Sequence, residues 1–362
     1  MVKPLKVGLI GAGRIANRHL AAYNNFSEKV KLVAVCDIVS DSAQEYAKKA
    51  HVENVYTDPV KMLKEADIDA VDICASHDKN AYLAVLAAES GRHVLVEKPM
   101  GISIQQCREV LKATDKAGVT FMVAQMLRYV PNNRTVYNFI KEGKLGSIRA
   151  VHSEAMANGI SLMSSGSWYS DYKKSGGGVV ISVGIHNIDL LRYFFGDIKS
   201  AFAMLTNKHP AFPPGIEDHA SIILTFESGA VAELFADYAT RRVPWVWQYL
   251  VLGTEGTVVS SLPFREQFGQ QRWDTRIAFT KMDKEALGAG TATEEFIPIK
   301  QLTYEGFENV DPFTNEILHF ANCCQLKMES ISSGKDNLGT MKAIFAIYES
   351  AKSGKNIDLA TL

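Results

Sequence analysis

The run Gly11-Ala12-Gly13-Arg14-Ile15-Ala16 constrains this chain more than any other feature. It follows the apolar strand pattern Lys6–Ile10 and opens the helical pattern Arg14–Tyr23. A G-x-G-x-x-A turn in that setting is the phosphate-binding corner of a doubly wound sheet. Gly11 permits the tight turn, Gly13 leaves room for a pyrophosphate, and Ala16 lets the helix pack close to the strand. An anionic diphosphate then rests on the free N–H groups and the positive dipole end of the helix. Alone, such a match can be an incidental glycine turn. Here a second strand pattern, Lys31–Cys36, ends at Asp37, 24 residues after Gly13, near the ~20 expected for a ribose-binding acid. A carboxylate there hydrogen-bonds a 2′-hydroxyl and repels a 2′-phosphate. The next residue, Ile38, supplies no cation. NAD is the expected cofactor, and NADP stays open because Arg14 can reach the adenosine side.

Strand and helix patterns go on alternating as far as residue 125. Strands are expected at Ala70–Cys74, His93–Val96 and Thr120–Ala124, and helices at Asp41–Ala50, Lys79–Ser90 and Ser103–Ala117. Asp58-Pro59 reads as a helix start, and Gly91 and Gly118 as helix stops. This alternation implies right-handed βαβ crossovers and a parallel sheet. After about residue 127 the rhythm changes. Helices at Asn132–Lys141 and Ile185–Phe195 precede strand patterns at Ala201–Thr206, Ala220–Phe226, Ala230–Tyr238 and Gln248–Leu252, with Ser228-Gly229 as a hairpin turn. Helices at Pro312–Gln325 and Asn337–Ser353 close the chain. The expected fold is an α/β Rossmann domain over residues 1–127, then an α+β domain with an open, mostly antiparallel sheet over 128–362.

The 362 residues suit two domains, and a net charge of −1 gives no global field for nucleic acid or an anionic membrane. The five cysteines show neither a C-x-x-C pair nor zinc-ligand spacing, so no metal is expected and a reducing, cytoplasmic setting fits. Met1–Lys6 runs straight into a strand without a signal-peptide core. No apolar run reads as approaching the ~18–20 residues that span a bilayer.

Val94-Leu95-Val96-Glu97-Lys98-Pro99 puts a lysine at the C-terminal end of a parallel strand, where open α/β sheets bind ligands. A lysine titrating near ~10.4 is a poor acid–base group at neutral pH. Burial beside a cationic nicotinamide ring would lower that value and suit it to proton transfer. The chemistry leaves a solvated, inert lysine equally open.

The run Gly91-Arg92-His93-Val94-Leu95-Val96-Glu97-Lys98-Pro99 resembles the signature of the glucose–fructose oxidoreductase/inositol dehydrogenase/rhizopine-catabolism (Gfo/Idh/MocA) family. Arg128-Tyr129-Val130-Pro131, Glu142-Gly143-Lys144-Leu145-Gly146 and Gly176-Gly177-Gly178 agree with it in order. So do His186-Asn187-Ile188-Asp189, Glu217-Asp218, Gly253-Thr254-Glu255-Gly256 and the last helix before Gly354-Lys355. The resemblance covers nearly the whole chain. It implies a substrate bound beside the nucleotide and a second sheet used for oligomerisation, as a homodimer or homotetramer.

The resemblance also implies roles. Lys98 would give or take the hydroxyl proton and His186 would hydrogen-bond a substrate oxygen. Gly11, Gly13, Arg14, Ile15, Asp37, Ser76, Glu97 and Lys98 would hold the cofactor, and Arg128, Trp168, Ser182 and Asp189 the substrate. Tyr169 and Tyr172 join Trp168 as rings that could stack on a sugar, with core or lid packing the alternative. Arg241 and Arg242 could recognise a carboxylate. Three positions depart from the family pattern. Ser182 stands where an aspartate is common, and Ser76 and Asn80 replace a proline and a histidine. The implied activity is hydride transfer between nicotinamide and a secondary alcohol or ketone of a sugar, sugar acid or cyclitol. The alternatives are a non-catalytic NAD(P)-binding regulator and an NAD-dependent glycosidase of the same fold.

Overall fold

The structure is a computed structural model that describes residues 3–240, 246–261, 274–279, 297–298 and 311–362. The chain divides into two compact units. One comprises Met1–Tyr129, Lys173–Gly176 and Phe307–Met341, the other Val130–Tyr172, Gly177–Gly306 and Lys342–Leu362.

In the first unit, β1 (Leu5–Ile10), β2 (Val30–Cys36), β3 (Asn54–Tyr56), β4 (Ala70–Ile73), β5 (His93–Glu97) and β6 (Phe121–Ala124) form one sheet. Its order is β3-β2-β1-β4-β5-β6 and every pair is parallel. The strands alternate with α1 (Ala16–Asn25), α2 (Ser40–Lys49), α3 (Pro59–Glu65), α4 (His77–Glu89) and α5 (Ile104–Ala117). The helix signals read from sequence are made here as hydrogen bonds. Asp58 accepts from Val60 N–H at the start of α3, Ser103 accepts from Gln106 N–H at the start of α5, and Gly118 ends α5 at φ 65°. The short edge strand β3 carries no buried side chain, which is why no apolar pattern announced it. The register aligns Ile10 with Cys36 and with Ile73, Ile73 with Val96, and Val96 with Val123. The chain therefore leaves β1, β2, β4 and β5 at one edge, and strand order reverses between β1 and β4. Sheets of this class bind ligands at such a reversal.

The second unit opens with α6 (Pro131–Lys141), β7 (Ile148–Met156) and the short α7 (Tyr172–Ser175), whose last residues belong to the first unit. A π-helical stretch, Val180–Gly184, runs into α8 (Ile185–Phe195). Strands β8 (Ile198–Thr206), β9 (His219–Phe226), β10 (Val231–Asp237), β11 (Val246–Gly253), β12 (Gly256–Ser261), β13 (Asp274–Phe279), β14 (Ile297–Pro298) and β15 (Ile357–Asp358) follow. They join β7 in a sheet of order β14-β13-β12-β11-β7-β10-β9-β8-β15. Only β7–β10 is parallel among its described pairs, so the sheet is mixed and mostly antiparallel. The Ser228-Gly229 hairpin closes with Gly229 at φ 87°. The sequence reading passed over β7, a central strand. Its inward positions are Val151, Ser153 and Ala155, too small and too polar to stand out as an apolar alternation.

Two sequence expectations are corrected. Residues after 127 do not all belong to the second domain. Helix α9 (Pro312–Leu326) buries Ile317, Phe320, Ala321 and Cys324 in the same core as Leu5, Val7 and Leu9 of β1. Its apolar face is complementary to the nucleotide-fold core, and sequence order does not reveal that return. The second correction concerns apolar runs. Tyr172–Phe195 is, by length and composition, apolar enough to cross a membrane. Its most apolar window is 94% buried inside the protein, as expected of a core helix. The final helix, α10 (Gly334–Ser353), precedes β15.

Candidate active site

In the first unit, the glycine turn leaves β1 with Gly11 at φ 95°. A Cβ on Gly11 would lie 2.5 Å from the Cys74 carbonyl oxygen, so both its conformation and its neighbour exclude a side chain. A Cβ on Gly13 would meet nothing within 4 Å. That open space is the cradle a pyrophosphate needs. No side chain caps the first turn of α1 and no acid lies in it, so its N–H groups suit an anion. Arg14 is exposed, Ile15 half-buried and Ala16 buried.

Asp37, just past β2, accepts Ala12 N–H on Oδ2 at 2.7 Å and Val39 N–H on Oδ1 at 2.8 Å. Each oxygen keeps a lone pair for a further donor. Ile38 beside it is 87% exposed, an apolar surface next to the ribose-binding position. Ser76 caps no backbone group of α4. Its hydroxyl donates to Asp78 Oδ1 at 2.6 Å. The set at the ends of β1, β2 and β4 fits a dinucleotide.

Lys98 follows Glu97 at the end of β5 and is half-buried. Its backbone is held from two directions. Lys98 N–H donates to Glu97 Oε2 at 3.0 Å, and Asn80 Nδ2 donates at 2.9 Å to each of the carbonyls of Glu97 and Pro99. One amide nitrogen thus spends both hydrogens on the carbonyls flanking Lys98, a task a histidine at that position could not copy with a single N–H. Burial pushes the Lys98 ammonium below its usual pKa. Glu97 partly offsets this, and the Arg14 guanidinium lowers it further. Arg14 belongs to the glycine turn, so the two motifs interact electrostatically. Next to them His77 donates from Nδ1 to the Ser175 carbonyl at 2.7 Å. Burial and the Lys98 charge push it down to about 3, so it is neutral.

Arg128 lies elsewhere in this unit. It is 2% exposed, donates to the Ile331 carbonyl and pairs with Asp336 at 2.6 Å. Its guanidinium is engaged in packing the nucleotide unit, which departs from the substrate contact read from sequence.

In the second unit, Ser182 lies in the π-helical stretch and His186 and Asp189 on α8, all buried. π-Helical turns often occur at functional sites. Glu217 secures the start of this segment, accepting Gly178 N–H at 2.7 Å, Val180 N–H at 3.0 Å and the Tyr348 hydroxyl at 2.9 Å. The His186 ring meets Trp247 edge-on at 5.6 Å, and neighbouring Asn187 donates to Ser153 Oγ at 2.7 Å. Trp168 stacks on Tyr169 with ring centroids 3.7 Å apart, and Tyr172 is exposed. Arg241 and Arg242 lie outside the described residues.

Sequence reasoning missed one grouping altogether. His19, Asp72 and Cys74 converge in the first unit with ligand-type atoms within 4.8 Å. The spacing is that of a hydrogen-bonded cluster, with His19 Nδ1 2.8 Å from Asp72 Oδ2. Burial pushes the Cys74 thiol far up, keeping it protonated. No local spacing could have announced it, because His19 sits on α1 and Asp72 and Cys74 on and just past β4, more than 50 residues later.

Residues 5–125 match the family model described as "Oxidoreductase family, NAD-binding Rossmann fold", and residues 133–259 match the "GFO/IDH/MocA C-terminal domain". The chain is 27% identical to D-apiose dehydrogenase of Paraburkholderia graminis, covering 100% of this chain and 91% of that protein. It is 26% identical to myo-inositol 2-dehydrogenase of Thermotoga maritima over 70% of this chain and 74% of that one. Among solved structures, levoglucosan dehydrogenase in complex with NADH superposes with a TM-score of 0.86 at 22% identity, covering 99% of both chains. An aldose–aldose oxidoreductase from Caulobacter crescentus, complexed with glycerol, gives 0.83 at 21%, covering 98% of this chain and all of that one. These two likenesses show the fold.

Proposed function

The chain belongs to the Gfo/Idh/MocA oxidoreductase family, and from that premise we propose that it is an NAD-dependent dehydrogenase of a sugar, sugar acid or cyclitol with Lys98 as proton donor and acceptor. The observation that carries this reading is the placement of Lys98 at the cofactor edge of the first unit's sheet, close enough to the glycine turn for Arg14 to act on its charge. Bound NAD supplies the hydride acceptor at C4 of its nicotinamide ring. Lys98, as the free amine, takes the proton from the substrate hydroxyl as the carbon–hydrogen bond breaks, and returns it in ketone reduction. His186 hydrogen-bonds a substrate oxygen, and Ser182 and Asp189 support binding there. Asp37 favours NAD over NADP, since neither Ile38 nor Val39 brings a cation to a 2′-phosphate.

The named relatives act on apiose and inositol, which supports a polyhydroxylated substrate. Phe202, Met204, Ile223, Val231 and Phe235 are exposed on one face of the second sheet, which supports a homodimer or homotetramer built on that face. The five thiols are unpaired, which supports a reducing, cytoplasmic setting.

The test offers purified protein and NAD, then NADP, to a panel of sugars, sugar acids and inositols and records NADH absorbance. Substrate-dependent NADH with wild type is expected. Lys98→Met should lower kcat by about 10²–10⁴-fold with NAD affinity retained. Full turnover by Lys98→Met would overturn the assignment. Glycoside cleavage without net NADH, or ligand-dependent protein binding without turnover, would replace it with a glycosidase or a regulator.

A further inference from the structure

The second unit holds a closed ring of contacts beside His186 that the proposed reaction does not use. The inner face of β7 carries Val151, Ser153 and Ala155, so a hydroxyl stands between two apolar positions. A buried hydroxyl costs stability unless it is hydrogen-bonded. Ser153 is 1% exposed, and its proton and a lone pair are both engaged. Its Oγ donates to the Gln248 carbonyl of β11 at 3.3 Å and accepts from Asn187 Nδ2 of α8 at 2.7 Å. The same Asn187 nitrogen donates to the Glu154 carbonyl at 3.1 Å. A carbonyl only accepts, so this second contact fixes which way the amide points.

Each residue that Ser153 ties has a ring next to it in the chain. His186 precedes Asn187 on α8, and Trp247 precedes Gln248 on β11. The two rings meet at 5.6 Å with 77° between their planes, and both are buried. The register sets Trp247 opposite Ala155, a small residue that leaves the indole room on the inner face. The chain entering α8 runs close over that face, since a Cβ on Gly184 would lie 3.8 Å from the Ala236 side chain of β10.

We propose that Trp247 is a positioning residue that holds the His186 imidazole in the orientation used at the substrate, with the Ser153 hydroxyl keeping the two rings in register. This role rests on the reading of His186 as a substrate contact. A perpendicular pair sets the positive edge of one ring against the negative face of the other, so it favours one orientation over its alternatives. Two side-chain torsions of His186 are thereby ordered before a substrate arrives, which lowers the entropy lost on binding. Gln248 pairs with Glu154 in the β7–β11 ladder, so the indole is carried by the sheet, as a positioning group should be.

The experiment uses NAD-bound protein labelled with carbon-13 at histidine Cε1, with His186→Gln assigning the signal. In Trp247→Leu the His186 signal should lose its indole ring-current displacement. On the panel sugar or inositol that wild type oxidises fastest, kcat/KM should fall by about 10–10²-fold with NAD affinity retained. Trp247→Phe, which keeps a ring, should recover most of the loss. Ser153→Ala should displace the signal in the same direction by less, and its effect should shrink in the Trp247→Leu background. An unmoved signal in folded Trp247→Leu overturns the proposal, as does full turnover by Trp247→Leu where His186→Gln has lost it. A fall in NAD affinity as large as the fall in kcat/KM also overturns it, because that marks general loosening. If Trp247→Leu does not fold, Ser153→Ala decides, and an unmoved His186 signal there overturns it. The histidine signal is read without turnover, so full turnover by His186→Gln would defeat the substrate role of His186 and leave the ring contact standing.

Discussion

Two glycines two residues apart do different work in the nucleotide turn. Gly11 has a positive φ and a carbonyl where its Cβ would be, so it serves the fold. Gly13 has neither constraint and borders open space, so it serves the ligand. Gly11→Ala should cost roughly 1–3 kcal/mol from backbone strain alone, and lower the melting temperature as well as NAD affinity. Gly13→Ala should leave the melting temperature unchanged while Kd for NAD rises at least about tenfold. Calorimetry and NAD titration of the two variants check the contrast, and equal thermal destabilisation by both would contradict it. Both glycines were legible from their spacing alone, because the turn is local. Asn80 was legible only as a departure from a pattern. That its amide ties the two carbonyls around Lys98 emerges once α4 and β5 lie side by side.

The helix bearing Ser182, His186 and Asp189 begins in an unusual way, and Glu217, two residues before β9, takes the part of its missing cap. Burial pushes the Glu217 carboxyl up, and the donors around it, including Gly178 and Val180 N–H and the Tyr348 hydroxyl, partly offset that. Gly178 belongs to the same fitting, since a Cβ there would lie 2.0 Å from the Glu217 carbonyl oxygen. Glu217→Ala would strand two buried backbone donors, Gly178 and Val180 N–H, and the half-buried Tyr348 hydroxyl. It should cost at least about 3 kcal/mol in chemical denaturation, and lower kcat through the loosened α8 while NAD affinity holds. Loss of NAD binding with catalysis retained would refute this. Glu217-Asp218 and the glycine triplet were both visible in the sequence as matches to a family pattern. Their physical link was not, because 39 residues separate the donor Gly178 from its acceptor.

Two buried histidines give the whole molecule opposite pH sensitivities. His77 is pushed down to about 3 by burial and by Lys98. As pH falls below about 6.5, the unfolded chain takes up a proton that folded His77 refuses, so stability is lost toward pH 3 at about 1.4 kcal/mol per pH unit. His19, held above its usual value, acts the other way. Its contribution is full below about 6.5 and is lost as pH rises through the folded value. Urea unfolding between pH 7 and pH 4 should therefore show a shallower acid loss in His77→Gln than in wild type, and parallel curves would contradict this. The exposed apolar face of the second sheet has a consequence at the same scale. Phe235→Glu should convert the proposed oligomer to monomer in light scattering, since a buried unpaired charge is costly at an interface. A wild type that is already monomeric, or a mass unchanged by the substitution, would contradict the proposed interface.

The sequence by itself determined what local geometry and periodicity encode. The glycine turn, the acid ending β2, the parallel alternation through residue 125 and the change of rhythm near 127 all depend on residues close in the chain. Only the tertiary structure decided which distant groups share a buried environment. It returned α9 to the first core, committed Arg128 to Asp336, placed β7 at the centre of the second sheet, and enclosed His19 between Asp72 and Glu97. The physical reason is range. Backbone conformation answers to neighbours a few residues away, whereas the energy of a buried charge depends on every group folding brings within a few ångströms, wherever that group lies in the chain.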